Sequence, residues 1–297
     1  MSKIEEALIK AKKLGTRNLT GIKPVNEEQI AQKSSIRSLI PAHNSNTSNR
    51  LNKSSSKEIA LMENGELLDN NALTELKIIY SEMPDHKTAN TYRDLRTKLI
   101  QKTQGQNFIA LVTSCVPGTD SSSTVINLST AFSFDESKTS LIVDCNLNNP
   151  YVDTLLNIDT KKGLTDYLEN ESLSTEEILY KTGIKRLKII PAGSTRETAT
   201  EYFTSLRMRE LLAGLLSRYT DRYIFIDSPP VTDFADTRIL VELCDIVLLV
   251  VPYGKATKSI IKKAANAIGE DKLLGIVFND APHIPNLFRK NRPNNES

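Results

Sequence analysis

Residues 112 to 129, VTSCVPGTDSSSTVINLS, set Pro117-Gly118 and a run of Thr and Ser between an apolar stretch and a segment patterned as a helix. A loop of this kind offers its backbone N–H groups, together with the positive end of the following helix dipole, to a bound anion. A phosphate-binding loop that works on a nucleotide adds a lysine for the β and γ phosphates and a Ser or Thr for magnesium, in the pattern GxxxxGK[ST]. Gly118, Ser121, Ser122 and Ser123 are therefore the candidate nucleotide-binding residues, and the lysine's own position holds Ser121. Losing that lysine removes a charge-assisted hydrogen bond of roughly 1.5–3 kcal/mol, or about one to two decades of affinity. The loss is larger in a transition state, where charge builds on the transferring group. A Ser/Thr/Gly cluster after a strand also serves as a plain helix N-cap.

Two carboxylates end apolar runs and complete the chemistry. YIFIDSPP displays Asp227 at the end of a strand, because Pro229-Pro230 forbids an immediate helix, and SLIVD ends on Asp144. An aspartate presented this way holds magnesium against nucleotide phosphates, so Ser122 and Asp227 are the expected metal ligands and Asp144 and Asp227 the candidate catalytic pair. No cofactor is certain from the residues, and ATP with magnesium is expected only where the site has stayed competent. The structural alternative is a pair of aspartates capping turns.

These residues need a scaffold, and the apolar runs supply one. FIALVTS (108–114), SLIVD (140–144), LKIIPAG (187–193), YIFID (223–227), DIVLLVVP (245–252) and LLGIVFND (273–280) are continuously apolar rather than alternating, as strands covered on both faces are. The gaps between them hold crossover helices. The expected fold is α/β, a doubly wound and mostly parallel sheet, in which ligands sit beyond the carboxyl ends of the strands. TANTYRDLRTKL (88–99) reads as a helix with Tyr92, Leu95 and Leu99 on one side and Arg93 and Arg96 close together.

The rest of the chain bounds the function. Residues 1–15 form a short amphipathic helix opened by a capping box at Ser2-Lys3-Ile4-Glu5; residues 16–74 read as a flexible polar linker. Residues 75–282 form the nucleotide-fold domain and 283–297 a disordered tail. The first sixty residues carry eleven Lys or Arg against five Asp or Glu, a net +6 against −4 for the remainder. The three cysteines have no metal-ligand spacing, and the absence of tryptophan argues against nucleic-acid stacking platforms. With no apolar run of transmembrane length and no signal peptide at the start, the expected location is cytoplasmic, and a place at the inner face of the membrane would come through a partner.

Over about residues 85–280 the chain resembles the bacterial tyrosine autokinases of capsule and exopolysaccharide synthesis, a branch of the partition and septum-site type P-loop ATPases. VTSCVPGTDSSSTVINLS is similar to the family's Walker A segment, SLIVDCNLNNP (140–150) to its second acidic motif and YIFIDSPPVTDFADTRIL (223–240) to its Walker B. PAGSTRETATEYFTSLRMRELL (191–212) and DIVLLVVPYGKATKSIIKKA (245–264) follow in the family's order. SKIEEALIKAKKL also resembles the start of stand-alone members, whose membrane chain-length regulator is a separate polypeptide.

The departures are specific. Gly-Glu-Gly-Lys-Ser-Thr of the family is met by Gly118-Thr119-Asp120-Ser121-Ser122-Ser123, which places a carboxylate where a glycine stood. Asn146 replaces the second aspartate of the acidic motif. Arg93 and Arg96 match the family's intersubunit Glu-x-x-Arg-x-x-Arg pattern, with Asn90 in place of Glu. The stretch after Asp280 contains no tyrosine, where the family clusters its autophosphorylation sites. The resemblance with these departures implies a pseudokinase serving as a regulatory subunit in polysaccharide chain-length control. Its partners would be a membrane chain-length regulator or an active paralogous kinase, with self-association through Arg93 and Arg96 and no nucleic acid. The alternatives are an active kinase or ATPase that borrows another cation, such as Arg93, Arg96 or Lys102, and a partition-like localisation ATPase.

Overall fold

The computed structural model describes residues 36–40, 66–197, 199–218 and 222–281. The helix read at 1–15, the tail at 283–297 and most of the polar linker lie outside the described residues. Six strands fall on the six apolar runs: β1 (Ile109–Ser114), β2 (Thr139–Asp144), β4 (Leu187–Ile190), β5 (Arg222–Asp227), β6 (Ile246–Pro252) and β7 (Leu273–Asn279). A further two-residue strand, β3 (Tyr180–Lys181), joins the edge. Together they form one sheet in the order β3-β4-β2-β5-β1-β6-β7. Every pairing is parallel except β3 with β4. Because β1 is flanked by β5 and β6 while β2 lies beyond β5, the chain reverses its direction of travel beside β1, the place where such sheets bind ligands.

Helices cover both faces, which is why the central strands are apolar throughout. On one face α2 (His86–Lys102) packs on α3 (Ser121–Ser133), and α3 lies against the sheet, buried along nearly its whole length. Phe108, Phe132, Tyr223 and Phe225 interlock here with ring centroids 4.6–5.9 Å apart. On the other face α7 (Leu206–Ser217), α8 (Ala235–Leu243) and α9 (Lys258–Ile268) bury Met208, Leu212, Leu240 and Ala264 against Ile109, Leu111, Ile224 and Leu249. Short helices α4 (Val152–Leu155), α5 (Leu164–Glu169) and α6 (Thr200–Thr204) sit in the connections, and α1 (Asn70–Glu75) precedes α2.

Within the stretch 16–74, residues 36–40 are docked on the body. Ile36 is fully buried, and the Arg37 guanidinium grips the Asp245 carboxylate at 2.9 and 3.2 Å while donating to the Asn107 carbonyl at 2.7 Å. Asp245 and Asn107 stand just before β6 and β1, so this clasp sits at the ends of the strands opposite those that carry Asp144 and Asp227. Residues 66–74 are also part of the body: the Leu68 N–H donates to the Gly183 carbonyl.

Candidate functional site

The parallel register brings the two carboxylates together. β2 and β5 pair with Asp144 opposite Asp227, each the last residue of its strand, and both side chains project toward α3. Neither is exposed beyond 1%. Asp144 accepts from the Asn146 N–H at 2.9 Å and from the Tyr151 and Val152 N–H groups at 3.4 Å. Asp227 accepts from the Ser122 hydroxyl at 2.5 Å, while its other oxygen is buried with no hydrogen-bond partner. Burial pushes the Asp144 carboxyl up to about 6 despite those three amides. Burial, and then the neighbouring Asp144 charge, hold Asp227 well above the usual carboxylate range.

Two buried like charges with an orphaned oxygen are what a divalent cation relieves. Ser122 and Asp227 fit such an ion, with Asp144 adjoining. A cation held there would supply neutralisation of phosphate charge. Asn146 contributes its backbone N–H to Asp144, an interaction that does not use the Asn146 side chain.

The loop half is built differently. Gly118 and Asp120 both adopt left-handed backbone, with φ of +67° and +55°. Glycine takes that conformation freely, and a short polar side chain tolerates it at some cost, so a glycine at 120 would carry this turn with less strain than Asp120 does. The exposed Asp120 carboxylate accepts from the Ser123 hydroxyl at 2.6 Å and caps no backbone N–H of α3. It places an exposed carboxylate at the rim of the loop. Ser121, half-buried in the first turn of α3, brings a hydroxyl to the position of the lysine.

Several residues that the sequence did not single out brace this loop. Thr119 donates to the Val116 carbonyl at 2.5 Å, and Ser114 to the same oxygen at 3.0 Å. The Asn279 amide, at the end of β7, donates to the Thr119 carbonyl at 3.2 Å, and Thr232 to the Cys115 carbonyl at 2.8 Å. Their spacing from the apolar runs follows no common pattern, so no signal in the sequence marked them. Tyr92 is drawn in as well: burial raises its phenol above the ordinary value, and the Asp120 charge adds to the rise.

The basic residues before β1 do not reach the loop within this chain. Arg96 donates to the Ala131 carbonyl at 2.8 Å, ten residues beyond Ser121 along α3 and so about 15 Å away. Arg93 donates to the Ser81 carbonyl and the Asn90 side chain, each at 2.9 Å, and lies over the Phe134 ring. Lys102 ends α2 shortly before the start of β1, at the opposite end of that strand from the loop. Ser122, Asp144 and Asp227 are thus brought together and flanked by Gly118, Ser121 and Ser123, while Arg93 and Arg96 stand apart on the outer helix.

The parallel sheet, the strand–loop–helix at β1 and the paired strand-end carboxylates define a P-loop NTPase-like protein. No family model matches the chain. The tyrosine-protein kinase YwqD of Bacillus subtilis (strain 168) is 32% identical over 211 residues, covering 70% of this chain and 84% of the relative. The tyrosine-protein kinase CpsD of Streptococcus agalactiae serotype III (strain NEM316) is 27% identical over 210 residues, covering 70% and 89%. The chain belongs to the family of these bacterial tyrosine-protein kinases. Among solved structures, the kinase domain of the Escherichia coli tyrosine kinase ETK aligns with a TM-score of 0.60 at 18% identity, over 78% of this chain and 96% of that one. The chimerical protein CapA2B2 aligns at 0.62 and 23%, over 78% and 99%. At these identities the structural likeness establishes the fold. No helix among the described residues is long and apolar enough to cross a membrane.

Proposed function

We propose that the chain is a degenerate tyrosine autokinase that has lost phosphoryl transfer and acts as a regulatory or binding subunit in capsule or exopolysaccharide chain-length control and export. The observation that carries this reading is the loop: Ser121 stands at the lysine position, Asp120 adds a negative charge beside it, and Arg93, Arg96 and Lys102 are held away from it. Phosphoryl transfer depends almost entirely on positioning and on neutralising charge at the transferring group. A site that keeps its metal-type ligands but replaces the central cation with a hydroxyl and an acid loses more of the rate than of the binding. The partners consistent with family membership are a membrane chain-length regulator and an active paralogous kinase, met at the inner face of the membrane.

Titration of a fluorescent ATP analogue with and without magnesium, followed by assay for ATP turnover and phosphotyrosine, tests this. Weak or absent binding and no turnover are expected. Turnover or self-phosphorylation abolished by Asp227→Ala overturns it. A second reading, an active kinase completed by a cation from a neighbouring subunit, draws on the Ser122–Asp227 contact at 2.5 Å, which leaves the metal half of the site assembled. It predicts turnover that rises with protein concentration.

A further inference from the structure

The last strand, β7, forms one edge of the sheet, and nothing in the described residues covers it. From Leu273 to Asn279 it carries no charged side chain, although exposed edges are ordinarily blunted by charge. Ile276 and Phe278 are 41% and 56% exposed, and Tyr253, at the top of the adjoining β6, is 46% exposed. Three of the seven exposed large hydrophobic residues among those described therefore gather at one place. They lie on the same face of the sheet as α9, since Ile276 pairs with Leu249 and Phe278 with Val251.

Alongside runs a set of cations. Lys255, Lys258, Lys262 and Lys263 are exposed on and before α9, and none pairs with a carboxylate among the described residues. No acidic residue occurs between Asp245 and Glu270, and beyond Asp280 the sequence adds Leu287, Phe288, Arg289, Lys290 and Arg292. Apolar side chains beside unpaired lysines are the chemistry of a peripheral contact with an anionic bilayer. We propose that the β7 edge and the lysine face of α9 dock directly on anionic lipid, with Ile276, Phe278 and Tyr253 entering the headgroup boundary. A second copy of the chain fits this face poorly, because a self-contact would set four lysines against four. An acidic peptide fits less well than a surface, because the four lysines are all exposed on or before α9, opposite its buried Ala264 and Ile268, and line no groove.

Flotation of the full chain with phosphatidylcholine vesicles containing about one-third phosphatidylserine tests the proposal. The expected result is binding that weakens with salt, is absent on phosphatidylcholine alone, and falls at least about a hundredfold in the triple variant Lys258→Glu, Lys262→Glu, Lys263→Glu. Phe278→Ser is expected to weaken it several-fold. These side chains are exposed, so circular dichroism should be unchanged. Absence of binding at low salt, equal binding by the triple variant, or loss of binding only on deleting residues 1–15 would each overturn it. A change in oligomeric state of the triple variant in lipid-free light scattering would do the same. The outcome does not depend on whether the loop binds nucleotide.

Discussion

The two halves of the site differ in where their charges stand. The carboxylate half, Asp144 with Asp227 and Ser122, is sealed between the sheet and α3. The loop half, Gly118 to Ser123, holds its charge, Asp120, in the open. Buried groups at strand ends are fixed by register, so the carboxylate half persists as long as the fold does. A loop residue contributes its side chain and little to the core, so a lysine or a serine at 121 leaves the sheet equally undisturbed. On the function proposed above, the comparison teaches that an assembled carboxylate half is no evidence for a working phosphate half.

The largest expected effect comes from rebuilding the weaker half. Asp120→Gly with Ser121→Lys restores the charge and the glycine of the family pattern. Affinity for an ATP analogue should rise by about ten- to a hundredfold, the worth of one charge-assisted hydrogen bond. Phosphotyrosine should remain low, because the altered acidic motif at Asn146 is untouched. Isothermal titration and phosphotyrosine immunoblotting read the two outcomes; affinity unchanged from wild type would mean that the loop lacks the geometry of a phosphate cradle.

The next effect tests the other half. Asp227→Asn keeps an acceptor for Ser122 and removes a buried charge whose second oxygen has no partner. The amide nitrogen that replaces the second oxygen is equally unpartnered, so the gain is that of removing a buried charge beside Asp144, and at about 1 kcal/mol it is a rise in Tm of roughly 2–4 °C at pH 8. The sign follows from linkage. The folded carboxyls bind protons more tightly than the unfolded chain does, Asp144 up to about 6 against 3.8. Stability therefore falls as pH rises through that window, and the gain from Asp227→Asn should shrink toward zero near pH 4. Thermal melts between pH 4 and 8 check this, and a gain that grew on acidification would reverse the assignment. Magnesium should stabilise the wild type and not the variant.

Much of this was legible in the chain and the remainder was not, for physical reasons. The interior runs were legible because central strands of a covered parallel sheet leave no polar position to confuse the pattern, whereas β7 is equally apolar at an exposed edge, so its apolarity did not mean cover on both faces. Ser122 and Asp227, 105 residues apart, could be paired in advance because each sits at a recognisable strand or loop end. β3 escaped notice because a two-residue edge strand with a half-exposed Tyr180 has no periodicity. The docking of Ile36 and Arg37 was hidden in a polar stretch, since its partner Asp245 lies 208 residues away and the contact depends on tertiary position alone. The reach of Arg93 and Arg96 was equally closed to reading: helical spacing put them together but could not say that α2 would present them to the far end of α3.

The smallest effect separates the two losses in the loop. Ser121→Lys alone should recover less affinity than the double variant, because the Asp120 carboxylate stays at the rim. Asp120 is exposed, so water and salt screen its repulsion, and the deficit should be only a few-fold at physiological salt and wider at low salt. Stability should scarcely change on Asp120→Gly. Glycine relieves a φ of +55°, but it loses the Ser123 hydrogen bond and gains about 0.5–1 kcal/mol of unfolded-state freedom. Equal affinities for the single and double variants at every salt concentration would show that the missing lysine is the whole of the defect. A gap independent of salt would show that the glycine acts through backbone shape, because repulsion between charges at the surface cannot ignore ionic strength.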